Sequence, residues 1–113
     1  MELKKYPRAI EVFEKTRQKH PKDEDVLACL GEAYRKKGDY TKAIEILDLF
    51  EKNSQDVNEY IEIFAERGRA KLGLKDYAGA LKDFERHLLY DPYLEPTLAK
   101  EMKECREKLG GKK

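Results

Sequence analysis

Leu94, Leu98, Met102, Cys105 and Leu109 fall three and four residues apart, with Lys100, Lys103, Glu104 and Lys108 between them. That period puts the apolar side chains on one stripe of a helix and the charges on the rest of its surface. Similar patterning along the chain predicts helices at 7–19, 24–37, 41–53, 59–73, 78–90 and 95–109, and no strand. The punctuation between them agrees. Asp39 and Asp76 stand where helices begin, as side chains able to accept hydrogen bonds from orphan backbone N–H groups. Pro7 suits a first helical turn, where a missing N–H costs nothing. Gly38 follows Arg35, Lys36 and Lys37 as a left-handed stop with cations beside the helix C-terminus. Lys75 takes the matching place in the later segment, which predicts a strained or shifted cap.

The elements repeat. Tyr6, Ala9 and Phe13 return as Tyr40, Ala43 and Leu47, and again as Tyr77, Ala80 and Phe84, after 34 and then 37 residues. A second group, Leu27, Leu30, Gly31, Ala33 and Tyr34, returns as Phe64, Arg67, Gly68, Ala70 and Lys71. Each unit is therefore two helices. Gly31, Gly68, Ala43 and Ala80 leave room where paired helices approach, and larger side chains there should force the pair apart. Tyr40 and Tyr77 read as core residues whose hydroxyls stay near water.

These offsets resemble the tetratricopeptide repeat family, whose unit is a helix-turn-helix of about thirty-four residues. The resemblance rests on Leu27, Leu30, Gly31, Tyr34, Ala43 and Leu47 in one unit and on Phe64, Gly68, Ala80, Phe84 and Pro92 in the next, with Ala9, Phe13 and Pro21 in an opening half-unit. It departs at Gln55, where a closing proline would stand, at Arg67 and Lys71, which replace Leu and Tyr, and in three extra residues near Val57 to Tyr60. It implies an all-α right-handed superhelix of antiparallel helix pairs in a single domain over 1–109. Within it, 1–23 would be the second helix of a truncated repeat, 24–57 and 61–94 full repeats, 95–109 a capping helix, and 110–113 a flexible tail. An opening helix without its partner implies a fragment of a longer protein or an uncapped natural end. Its outward face at Ile10 and Phe13 would then be exposed and able to form a weak homodimer.

The resemblance also implies a concave groove lined by the first helix of each pair. Its candidates are Asp25, Cys29, Glu32, Arg35 and Lys36, then Glu62, Glu66, Arg69, Leu72 and Gly73. Asp25, Glu32, Glu62 and Glu66 would form an acidic end, with Arg35, Lys36 and Arg69 at the other. The alternative is an ordinary solvated face with intrahelical pairs such as Glu32 with Lys36, each contributing a few tenths of a kcal/mol. Family members that grip the C-terminal carboxylate of Hsp70 or Hsp90 use Lys, Asn and Arg on these helices. Here Cys29 stands in place of an Asn, and Glu62 and Glu66 in places of Lys and Arg, so a carboxylate would be repelled.

Composition narrows the choice further. The 113 residues carry 24 Lys and Arg against 23 Asp and Glu, so there is no global field to draw in nucleic acid or an acidic membrane. Mean hydropathy is −0.88, and no apolar run approaches the length of a bilayer span. The basic residues of the last helix are interleaved with Glu101, Glu104 and Glu107, which argues against an RNA-binding stripe. Cys29 and Cys105 form neither a disulfide framework nor a metal motif, and read as free thiols in the cytoplasm. His20 and His87 are the only histidines and have no nucleophile or phosphate-cradling loop beside them in the sequence. His87 reads as a structural histidine at a place where the family usually has a small residue.

The expectation is a non-enzymatic module without cofactor or metal, a scaffold or co-chaperone-like adaptor. It would bind a basic or mixed-charge peptide segment or partner subunit and would not be a carboxylate clamp. The alternative is a structural assembly module that self-associates through its helix-pair end faces.

Overall fold

Helix α1 (Lys5–Lys19) leads into α2 (Glu24–Lys37) and α3 (Tyr40–Asn53); α4 (Glu62–Gly73), α5 (Tyr77–Tyr90) and α6 (Pro96–Lys108) follow. The computed structural model describes residues 5–54 and 61–110, and among these residues there is no strand. Five of the six expected helices match within two residues at each end. The expected start of the fourth, at 59, lies outside the described residues.

Local chemistry sets the ends. The Asp23 carboxylate accepts from the N–H groups of Asp25 and Val26 at 3.0 and 3.3 Å, satisfying two orphan donors of α2. Asp39 does the same for Lys42 N–H, Asp76 for Gly79 N–H and Glu95 for Leu98 N–H. At the end of α2, Gly38 takes φ +98°, its N–H donates to the Arg35 carbonyl, and Asp39 N–H donates to the Tyr34 carbonyl. The end of α4 repeats this pattern with Lys75 N–H on the Leu72 carbonyl and Asp76 N–H on the Lys71 carbonyl. Lys75 therefore holds the left-handed position, φ +66°, without a glycine's freedom.

The chain divides into two compact units, Met1–Val57 and Asn58–Lys113. In the first, α2 packs against both α1 and α3; in the second, α5 packs against both α4 and α6. Each hairpin closes on a glycine. A Cβ on Gly31 would overlap the Leu47 side chain, and one on Gly68 would lie 2.6 Å from the Phe84 ring, so neither position admits alanine without repacking. Leu27, Leu30, Leu47 and Phe50 are fully buried in the first unit. In the second, Phe84 clusters with Ala80, Leu98, Met102 and Cys105, while Arg86 lies 4.4 Å over the ring of buried Phe64.

The departures at Arg67 and Lys71 have a partner that the sequence did not reveal. Arg67 Nε and one terminal nitrogen donate to the two oxygens of Asp83 at 3.0 and 2.9 Å, and Lys71 Nζ lies 3.1 Å from the same carboxylate. Arg67 and Asp83 are both buried. Thirty-seven residues earlier the same two places are Leu30 and Ile46, also buried. One unit fills this position with hydrocarbon and the other with a bidentate ion pair.

One expectation is corrected. Ile10 is only 8% exposed and belongs to the core, so α1 offers no outward face there; Phe13 is half-buried, and the exposed apolar residue of this helix is Val12. Leu72 is half-buried and packs one side against the Ala80–Phe84 cluster.

Candidate functional site

In the first unit the expected groove residues lie on α2. Asp25, Cys29 and Lys36 are exposed, with Glu32 and Arg35 half-buried. Lys36 Nζ lies 3.0 Å from Glu32, the intrahelical pairing weighed above as the alternative to an open charged face. Beside this pair is a cavity of about 220 Å³ whose apolar wall is Ala9, Phe13 and Ala33. Cys29 edges the cavity. Its thiol is pushed above the ordinary range by burial and then by the charges of Glu32, Asp25 and Asp23, so it is held protonated rather than activated. Cys105 is shifted the same way, burial acting first and Glu104 and Glu101 after it.

The second unit brings together a more polar site. Glu62 in the first turn of α4 and Arg69 two turns later share a cavity of about 270 Å³ with His87 of α5. Asp91, Tyr93 and Glu95, from the segment joining α5 to α6, complete its polar wall, over Ala65 and Leu98. Arg69 is committed within it. Its Nε donates to both oxygens of Glu101 at 3.0 Å, and a terminal nitrogen lies 3.9 Å from Glu95. The expected basic end of the groove is thus occupied at Arg69, which ties α4 to α6. Glu66, half-buried on the same helix, does not line the cavity.

His87 is buried, with Nδ1 3.2 Å from the Ile61 carbonyl. It is structural in the sense expected, since it holds the residue that opens α4, and it also forms part of the cavity wall. Asp91, Tyr93 and Glu95 escaped sequence reasoning because their convergence depends on the turn after α5. The one available signal was His87 itself, a large polar residue where the resemblance calls for a small one. Among the described residues no three His, Cys, Asp or Glu groups are placed to hold a metal ion, and no helix is long and apolar enough to cross a membrane.

A profile of the tetratricopeptide repeat matches residues 1–66. No curated protein sequence matches the chain significantly. Among solved structures, MamA superposes with a TM-score of 0.83 at 19% identity, covering 93% of this chain and 59% of its own. The chain therefore spans somewhat more than half of MamA. The first tetratricopeptide domain of Spaghetti (RPAP3), bound to the HSP90 peptide SRMEEVD, superposes with a TM-score of 0.82 at 23% identity over 93% of this chain and 80% of its own. The first such domain of human RPAP3 gives 0.81 at 22% identity over 95% and 81%. The recurring Gly-against-large-side-chain hairpins, the repeat offsets and the profile match agree: the chain belongs to the tetratricopeptide repeat family.

Proposed function

We propose that the chain is a non-enzymatic interaction module that binds a basic or mixed-charge peptide segment or partner subunit through the exposed faces of α2 and α4. The observation that carries this reading is the commitment of Arg69 to Glu101, alongside Glu62, which has no described partner. Lys36 is also paired, although that half-exposed contact is weak. An acidic peptide of the kind bound by Spaghetti (RPAP3) would meet carboxylates where it needs cations, and pairing like charges disfavours the complex. The free thiols support a reducing compartment such as the cytoplasm.

Fluorescence anisotropy of the full chain against a panel of labelled peptides tests the reading. The expected result is roughly micromolar binding of basic peptides, the scale of a small transient interface, with no binding of SRMEEVD. Reversing the charges at Glu62 and Glu66 together should abolish the basic-peptide signal. Tight binding of SRMEEVD, or indifference to that reversal, would overturn the proposal.

Self-association is a second reading, favoured by the exposure of Val12 at 55% beside half-buried Phe13. It requires sedimentation to show a dimer that dissolves on Val12→Glu.

A further inference from the structure

We propose that the groove between α1 and α2 seats an amphipathic helix of a partner protein, one with a glycine in its apolar stripe and basic residues in its first turn. The inference narrows the proposed function and rests on it only for the existence of a partner.

One helix face occurs three times in this chain. Ala43 and Leu47 on α3, and Ala80 and Phe84 on α5, are fully buried. In each case the preceding helix closes on that face through a glycine, Gly31 of α2 against Leu47 and Gly68 of α4 against Phe84. Ala9 and Phe13 stand at the same places on α1. Both are only half-buried, and with Tyr6 they line the open cavity of about 220 Å³. Helix α1 does pack on α2, but α2 has its glycine turned to Leu47 of α3. Among the described residues, then, the same side chains are covered twice by a glycine-bearing helix and left open once.

The two covered instances specify the occupant of the third. In α2 the glycine shares its stripe with Leu27, Leu30 and Tyr34, all buried. A helix that meets Ala9 and Phe13 as α2 meets Ala43 and Leu47 needs such a stripe, and a Cβ in place of its glycine would press into the Phe13 ring. No helix of a second copy fits. Gly31 and Gly68 lie under Leu47 and Phe84, while α6 carries Met102 thirty-four residues after Gly68, itself buried in the cluster of the second unit. The incoming helix runs antiparallel to α1, as α2 does to α3 across their two-residue turn, so its first turn passes the start of α2. Asp23 and Asp25 stand there, and together with Glu32 they bear on the Cys29 thiol at the cavity edge. Lys or Arg in that first turn complements them.

The probe is a capped peptide of residues 24–38 with Glu24→Lys, Asp25→Lys and Cys29→Ser, which keeps Leu27, Leu30, Gly31 and Tyr34. The reporter is Cys29 of the full chain, exposed at the cavity edge, whereas Cys105 is fully buried and slow to react. The peptide should slow modification of Cys29 by a disulfide reagent about fivefold, with half-protection on the order of 100 µM because it must form its helix as it binds. Gly31→Leu in the peptide should remove the protection, and restoring Glu24 and Asp25 should weaken it. Ala9→Leu in the chain, which fills the cavity, should also remove it, with the denaturation midpoint separating a blocked groove from an unfolded chain. No protection at about 1 mM peptide, equal protection by the Gly31→Leu peptide, or protection that survives Ala9→Leu would each overturn the proposal. So would a chain that shields its own Cys29 in step with a sedimentation dimer, since a second copy would then be the occupant. Basic peptides that bind while the helical probe does not would remove the seat and leave the interaction module standing. A helical probe that seats on a chain to which no basic peptide binds would retain the seat and remove the acidic face.

Discussion

Tyr34 ties the first hairpin to the helix before it through a single proton. Its hydroxyl donates to Glu14 Oε2 at 2.6 Å, and Glu14 is in turn 3.3 Å from Arg17. Burial first, and the bond to Glu14 second, push the phenol from its ordinary value near 10.0 up to about 12. The folded state thus keeps this proton where the unfolded chain has lost it. The associated stabilisation is complete below pH 10 and disappears as pH rises from 10.0 to about 12. Urea melts at pH 9 and pH 11 should therefore show a loss of stability that Tyr34→Phe reduces. At pH 7 the same substitution should cost about 1 kcal/mol, the net worth of one hydrogen bond. The tyrosine itself was legible in the sequence; its carboxylate partner was not, because Glu14 lies twenty residues back on a different helix.

At the scale of the element, hairpin ends were the most legible part of the fold, since a cap depends on one or two side chains and the backbone beside them. Asp39, Asp76 and Gly38 take the roles their positions announced, and Lys75 bears the strain expected of a non-glycine residue in a left-handed cap. Lys75→Gly should raise stability by about 1 kcal/mol, read as a higher denaturation midpoint at unchanged m-value, because it relieves the Cβ clash at φ +66°. The same change at exposed Lys82, in the middle of α5, should destabilise by about as much. The face of α4 was half legible. Helical spacing put Glu62 and Arg69 on one side, but the neutralisation of Arg69 depends on Glu101, thirty-two residues later on α6. Ile10 was misplaced because spacing alone does not tell which apolar residue at a helix margin is covered by its neighbour.

On the scale of the whole molecule, two units of one design carry different interiors. Leu30 and Ile46 occupy the places that Arg67 and Asp83 occupy in the other unit. Removing half of a buried pair, as in Asp83→Ala, should cost about 3–5 kcal/mol. Copying the first unit into the second with Arg67→Leu and Asp83→Ile together should be neutral or stabilising by about 1–4 kcal/mol, provided the new side chains pack. Denaturant melts of the three proteins decide this. A gain in stability would show that the ion pair is not retained for strength.

Near-copies within one chain invite error while the chain folds, because α2 could close on α5, and α4 on α3, with similar shapes. Such cross-matched hairpins would set Asp83 against Leu30, or Arg67 against Ile46, and strand a charge in hydrocarbon. The penalty for such a stranded charge would set each helix's own mate apart from its look-alike.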